Sequence, residues 1–312
     1  MSLIKKASEL QISKVVKIMI YGQAGMGKTT LALSAPKPLL LDFDNGVKRV
    51  NNAQLDDVGI VPITSWLDVQ NVLREDLSSY DTIIIDTIGK MMDFIIAFRC
   101  GQRNPRIQDW GNINNDFKQF CQTVSMMNKN VVFVAHREVQ TDGNDRVFVP
   151  ALRPKNYNSI VIELDLLGYV QMRNEQGYQK RTITFDPTDI SDGKNTCNMP
   201  GIMNIPVIND ANGNAIAKND FITKEVISRY NKMIDIKENA AKDYQNVLTE
   251  IENAVEQITD ADGANHFLAH IGEYKQHGNS VIIKARDLFS KKVKALGLVY
   301  DKAAKKYTSK TA

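Results

Sequence analysis

Val15-Val16-Lys17-Ile18-Met19-Ile20-Tyr21 runs straight into Gly22-Gln23-Ala24-Gly25-Met26-Gly27-Lys28-Thr29, and this junction decides how the rest of the chain is read. The first stretch is β-branched and apolar, which predicts a buried strand, and Thr29 to Ala35 can form a short helix that Pro36 ends. The loop between them satisfies GxxxxGK[ST], the P-loop pattern, in the strand-loop-helix context that gives the pattern its mechanism. Small residues at 22, 24, 25 and 27 let successive backbone N–H groups wrap phosphates, and the helix start adds its positive end. Lys28 then reaches the β and γ oxygens and Thr29 ligates magnesium. The expected nucleotide contacts are Gly22, Gln23, Ala24, Gly25, Met26, Gly27, Lys28, Thr29 and Thr30, and the implied ligands are ATP and Mg2+. A glycine-rich turn of purely structural purpose needs neither Lys28 nor Thr29.

Outward from the loop, Leu39-Leu40-Leu41-Asp42-Phe43 reads as a buried strand, and Ser65 can cap a helix through Leu77. Thr82 to Ile85 is another buried strand, followed by a helix from about Ile88 to Phe98 and a polar loop from Gly101 to Trp110. A helix from about Asn112 to Met127 and the strand Val131 to Ala135 complete an alternation that predicts a parallel sheet with helices on both faces. Tyr80-Asp81-Thr82-Ile83-Ile84-Ile85-Asp86 is apolar and ends in a carboxylate, like the second nucleotide motif, which makes Asp86 a candidate for the magnesium shell beside Thr29. Thr87 follows where AAA+ proteins carry a water-polarising Glu, so the catalytic carboxylate must come from elsewhere. His136 ends the strand Val131 to Ala135 at the same sheet edge, where a side chain can sense the γ-phosphate.

Beyond Arg137 the pattern shifts to hairpins, with turn signals at Asp142-Gly143-Asn144-Asp145 and Asn174-Glu175-Gln176-Gly177. Thr188 to Asn219 is rich in Asp, Asn and Gly; Phe221 to Lys310 reads as amphipathic helices without a strand signal. The boundary is therefore expected near residue 219, dividing a core of residues 1–219 from a helical region of residues 220–312, with Lys302 to Lys310 fraying.

The 312 residues are 43% hydrophobic and 24% charged, as in soluble globular proteins, and no apolar run is long enough to span a bilayer. Met1-Ser2-Leu3-Ile4-Lys5-Lys6 carries no export signal, so a cytoplasmic protein is expected. Cys100, Cys121 and Cys197 are odd in number and outside any CxxC pair, which points to buried thiols. His266 and His270, spaced i, i+4, lack a third ligand for a metal. Net charge is +3, yet Lys275 to Lys310 holds ten Lys or Arg against Asp287 and Asp301, a concentration that suits an anionic partner.

Taken together, the P-loop, Leu41-Asp42-Phe43-Asp44, Tyr80 to Asp86, Asp109-Trp110-Gly111 and Val134-Ala135-His136 resemble the RecA-like phage nucleotide-binding proteins, which include phage recombination ATPases of the single-strand annealing type. The resemblance covers about residues 12 to 208. It implies an α/β RecA-like P-loop NTPase core with a mainly parallel central sheet, a hairpin extension and a helical C-terminal region. It also implies ATP hydrolysis, action on single-stranded DNA in phage replication or recombination, homo-oligomers, and partners among phage recombination or replication proteins in an infected or prophage-bearing bacterium. In RecA-like ATPases the catalytic carboxylate ends the strand after the P-loop helix, which makes Asp44 the candidate base and Asp42 the fallback. Gly193-Lys194-Asn195-Thr196 is similar to the stretch that supplies a basic residue to a neighbour's site, so Lys194 is a candidate trans-acting finger. Arg137, Arg146, Arg153 and Lys155 fall where RecA-like proteins place DNA-contacting loops. A small-molecule P-loop kinase and a nucleotide-switched adaptor are the competing functions; a kinase needs an arginine-bearing lid, and Arg99, Arg103 and Arg106 are the scattered arginines available after Asp86.

Overall fold

Strands buried on both faces read as continuous apolar runs, and β1 (Lys17–Gly22), β2 (Pro38–Asp42) and β4 (Thr82–Asp86) are of this kind in the computed structural model, which describes residues 12–142, 145–175 and 177–309. With β3 (Gly59–Pro62), β5 (Asn130–Asp142), β7 (Leu166–Glu175), β8 (Tyr178–Thr184) and β10 (Met203–Asn204) they form one sheet in the order β10-β8-β7-β1-β5-β4-β2-β3. All neighbours from β7 to β3 pair in parallel, while β8 and β10 extend the sheet antiparallel, so the mainly parallel α/β core and its hairpin extension are both present.

The β1 strand lies centrally between β5 and β7, and β5 separates it from the Asp86 strand. On one sheet face Met19, Tyr21, Leu41, Ile83, Ile85 and Phe133 form a core with α2 (Trp66–Val72), α3 (Ile88–Cys100), α4 (Asp109–Met126) and α5 (Pro154–Glu163). The alternate residues Ile18, Ile20, Leu40, Ile84, Val132 and Val134 are equally buried, so both faces are covered. The P-loop leads into α1 (Lys28–Ala32), whose Gly27 cap has φ 71°. Beyond α1, Ser34 Oγ accepts from Ile222 N at 2.9 Å and Ser34 O accepts from Thr223 N at 3.1 Å, which ties the π-helical turn Ile222–Ile227 to the core.

Several expectations are corrected. The Ser65 helix has its capping box with Asp68 but ends at Val72, with Leu77 buried beyond it. Residue 59 opens an extra parallel strand, β3, whose half-buried alternation is too short to stand out. The segment after Arg137 is not all hairpins: β5 pairs with β6 (Asp145–Pro150), after which Pro154 opens α5. The residues Gly143, Asn144 and Gln176 of the two turn signals, like Met1 to Lys6 and Lys310, lie outside the described residues.

By contacts the chain divides after Met233, rather than near residue 219, because Phe221, Ile222, Val226 and Tyr230 are buried in the first unit. The second unit, from Ile234, contains most of α6 (Ser228–Glu256), with α7 (Ala261–His270) and α8 (Asn279–Ala295). Its core comprises Ile251, Val255, Phe267, Val281, Phe289 and Val293 among others. This unit is not purely helical, since β11 (Leu298–Asp301) and β12 (Lys306–Ser309) pair antiparallel; of the stretch expected to fray, residues 302–305 form the turn and Lys306–Ser309 the second strand. Asp301 Oδ1 accepts from Ala303 and Ala304 N, Lys305 takes a positive φ, and Tyr307 meets the rings of Phe289 and Tyr300, so aromatic packing overrides the lysine-rich composition. The cysteines are buried thiols, as expected.

Candidate active site

Parallel strands end together, and the registers Asp42↔Asp86, Asp86↔Val134 and Gly22↔His136 bring the strand-end residues of β1, β2, β4 and β5 to one edge of the sheet. There a cleft of about 200 Å³ is lined by Ala24, Gly25, Gly27, Lys28, Thr29 and Thr30, and by Asp44, Gly46, Arg49, Asp86 and His136. Most of the residues singled out in the sequence thus share one cavity. Gly25 and Gly27 have φ of 80° and 71°, left-handed values open to glycine, so the loop curls with its amides available to a phosphate.

Lys28 is only 6% exposed; its Nζ donates to the Gln23 carbonyl at 2.8 Å, and desolvation lowers its pKa, with Arg137 adding to the effect and Asp86 and Asp44 opposing it. Thr29 Oγ1 donates to Asp86 Oδ2 at 2.5 Å. Asp86 is 2% exposed, and burial pushes its carboxyl up to about 6, helped by Asp42 and Asp44 and opposed by the Thr29 hydrogen bond and Lys28. Thr87, instead of supplying a carboxylate, caps α3 by accepting from Lys90 N.

Asp42 and Asp44 are separated by their surroundings. The Asp42 carboxylate is buried and accepts from Gly46 N at 2.9 Å, Val47 N at 3.1 Å and Asp44 N at 3.3 Å, which folds the loop after β2 around it. Asp44 is partly open to the cleft, with His136 Nε2 at 3.8 Å and Arg49 Nη2 at 3.9 Å. Gly46 is needed for closeness: a β-carbon there would meet Asp86 Oδ2 at 3.3 Å and Thr29 Oγ1 at 3.5 Å. His136 is held toward its neutral form by desolvation first and by Lys28 and Arg49, against the pull of Asp44.

The donor set fits a magnesium nucleotide. The Thr29 hydroxyl and Asp86 carboxylate are hard oxygen donors in contact, and magnesium bound with phosphates takes only one or two protein ligands. Among the described residues no cluster of three or more His, Cys, Asp or Glu is arranged to hold a metal; the His266 and His270 rings lie 4.6 Å apart, tilted by 34°.

Lys194 is not brought to the cleft. On β9 (Lys194–Asn195) it pairs with Leu167 on the side of β7 away from β1, and its Nζ donates to Val161 O and Ile162 O, each at 2.9 Å, in the last turn of α5. Of the four basic residues after His136, Arg137 donates to Tyr169 Oη at 2.6 Å and Gln23 Oε1 at 3.0 Å and lies over the Phe148 ring, while Arg153 lies over Trp110. Arg146 and Lys155 remain exposed. Arg49, Gly46 and the Arg137 bridge from β5 to the P-loop carry no motif and escape a reading of the sequence.

A P-loop between two parallel neighbours, with the Thr29–Asp86 pair and Asp44 across the cleft, defines a P-loop ATPase domain. Residues 14–197 match the family described as AAA domain, and the chain belongs to that family. It is similar to the SPbeta prophage-derived uncharacterized protein YorG of Bacillus subtilis strain 168, at 26% identity over 169 residues, 46% of this chain and 51% of the relative. The chain thus matches about half the length of that curated relative. Similar solved structures include a KaiC-like protein of Pyrococcus horikoshii OT3, with 12% identity, TM-score 0.33, and coverage of 54% of this chain and 77% of that one. The flagellar accessory protein FlaH of Methanocaldococcus jannaschii has 13% identity and TM-score 0.34, covering 62% and 90%. Among the described residues no helix is long and apolar enough to cross a membrane.

Proposed function

We propose that this chain is a RecA-like ATPase that hydrolyses magnesium ATP and acts on single-stranded DNA in phage-type recombination or replication, assembling as a homo-oligomer. The observation that carries the hydrolytic part is the convergence of Lys28, Thr29, Asp44, Asp86 and His136 on one cleft. Thr29 and Asp86 hold the magnesium ion, which supplies charge neutralisation at the phosphates. Lys28 stabilises the β and γ oxygens, and its desolvated ammonium interacts more strongly there than one in water. Asp44 accepts the proton of the attacking water, and neutral His136, 3.8 Å from it, links the state of the γ-phosphate to β5 and so to the β5–β6 hairpin.

The kinase reading loses support because two of its three arginines are engaged. Arg99 forks onto Asp116 and Arg103 onto Asp109, which keeps both from serving as a mobile lid. The DNA part draws on the prophage context of the relative and on exposed Arg146 and Lys155. Lys194 acts in a neighbour's site only if it leaves the two carbonyls it now holds. An ATPase assay titrated with single-stranded DNA, duplex DNA and RNA tests the proposal: stimulation by single strands is expected, and turnover indifferent to all three would overturn the DNA part while leaving the hydrolase.

A further inference from the structure

Arg181 lies on β8 opposite Met172 of β7, two residues along each strand from the row in which Val170 pairs with both Gly22 and Ile183. This is the point where the P-loop leaves the sheet. The guanidinium of Arg181 packs against Gly27: a β-carbon placed on that glycine would meet Arg181 Nη1 at 2.7 Å and Cζ at 3.2 Å. The Nε atom is buried with no hydrogen-bond partner, and the side chain forms no hydrogen bond or ion pair among the described residues. Other arginines are treated differently: Arg99, Arg103 and Arg229 each fork onto a carboxylate.

A desolvated guanidinium edge with no acceptor is costly, and such groups persist where a ligand provides what the protein does not. Gly27, against which Arg181 packs, lines the cleft, so a ligand held by the P-loop would bring oxygen acceptors to the neighbourhood of the guanidinium. The planar fork of arginine matches phosphate oxygens, and its charge does not depend on pH, unlike that of a buried lysine. Gly27 is then required twice, once by its φ of 71° and once because any side chain would displace the guanidinium.

We propose that Arg181 is a nucleotide-contacting residue supplied in cis, donating from its guanidinium to the phosphate oxygens of the bound triphosphate alongside Lys28. This rests on the reading of Gly22 to Thr29 as a phosphate cradle, and it makes β8, in the antiparallel extension, part of the binding site.

Displacement of a fluorescent ATP analogue by ATP and by inorganic tripolyphosphate tests it. Arg181→Gln should weaken both competitors by about tenfold to a hundredfold, the usual range for losing hydrogen bonds to a charged group, and Arg181→Lys should recover part of the loss. Tripolyphosphate has no base or sugar, so a parallel loss places the contact on phosphate. Arg181→Gln binding both as tightly as wild type, with Lys28→Ala impaired, would overturn the proposal and leave the cradle standing. A wild type that bound neither would overturn the cradle and the proposal together. A measurement on the unaltered protein removes any dependence on folding of the variants: phenylglyoxal labelling of Arg181, read by mass spectrometry, should fall when magnesium ATP is present. Equal labelling with and without nucleotide would refute the contact.

Discussion

In the core, Lys28, Asp42 and Asp86 are buried and lie at the carboxyl edge of the sheet; in the unit from Ile234 onward, Lys291, Lys294, Lys302 and Lys306 stand exposed on α8 and the β11–β12 hairpin, and Lys291 pairs with Asp287 one helical turn away. Both regions are rich in charge, but the first holds its charges against a desolvation penalty and the second leaves them in water. A buried charge must be compensated locally, as when three amides fold onto Asp42 or a hydroxyl meets Asp86, so its environment carries information about chemistry. Exposed lysines are tolerated almost anywhere, and their number alone specifies no ligand.

The sharpest way to break this contrast is Lys28→Ala. Turnover should fall to less than about a hundredth of wild type with the fold intact, because the point charge facing the β and γ phosphates is gone. Unchanged hydrolysis by a folded variant would remove the P-loop from the mechanism.

Asp44 and Asp42 should then separate cleanly. Asp44→Asn is expected to keep nucleotide binding and thermal stability while lowering turnover by about two orders of magnitude or more, since an amide cannot take the proton from water. Asp42→Asn replaces one acceptor oxygen with a donor facing backbone N–H groups and should cost about 1–3 kcal/mol in stability, seen in thermal melts. If the melting temperature drops for Asp44→Asn and not for Asp42→Asn, the two roles are exchanged.

Asp86 provides a pH test. Its carboxyl is raised from the ordinary carboxylate range to about 6, so between about pH 4 and 6 the folded protein binds more protons than the unfolded chain. Stability contributed by this group is therefore present at low pH and lost as pH rises through 6, by at most about 3 kcal/mol. Denaturant titrations of the ligand-free protein should show that loss, Asp86→Asn should lack it, and magnesium with nucleotide should offset it by favouring the carboxylate. A pH-independent difference between the two proteins would show that Asp86 does not titrate in this window.

The smallest effect is expected from the exposed lysines. Removing residues 275–312 would be a poor probe, because it takes away Val281, Phe289 and Val293 of the helical core. Changing Arg286, Lys294, Lys302 and Lys306 to Gln leaves that core intact. If this face contacts a single strand, the log–log salt slope should flatten by about 0.7 for each phosphate no longer contacted. An unchanged slope and affinity would return these residues to solubility alone.

The same division decides what was legible in the sequence. Apolar runs such as Ile18 to Tyr21 and Ile83 to Ile85, and the spacing of Gly22 to Thr29, are local patterns, and they located the central strands and the loop. Asp44 follows from resemblance alone, and what sets its surroundings apart from those of Asp42 is tertiary: the amides of Gly46 and Val47 turn toward Asp42. Arg49 and Gly46 come to the cleft, and Arg181 to Gly27, across the fold from segments whose local composition resembles that of any loop or strand. β11 and β12 are not legible in the sequence because Tyr307 works through contacts with Tyr300 and Phe289, while the lysines around it read as a fraying end.

Strands apolar on both faces pose a problem of alignment, for a slip of one residue exchanges one greasy face for another and is penalised little by the core. At the sheet edge opposite the cleft, polar groups act as stops. Asn130 Oδ1 accepts from Val16 N at 3.0 Å, Asp165 Oδ2 accepts from Lys17 N at 2.8 Å, and Thr82 Oγ1 donates to Pro36 O at 2.7 Å. Each fixes the height of one strand against another, and because the strands are short and parallel, that height is carried to the far end where Asp42 stands level with Asp86. Asn130, Asp165 and Thr82 thus work as the zero marks of a ruler whose other end is read in the placement of reacting groups.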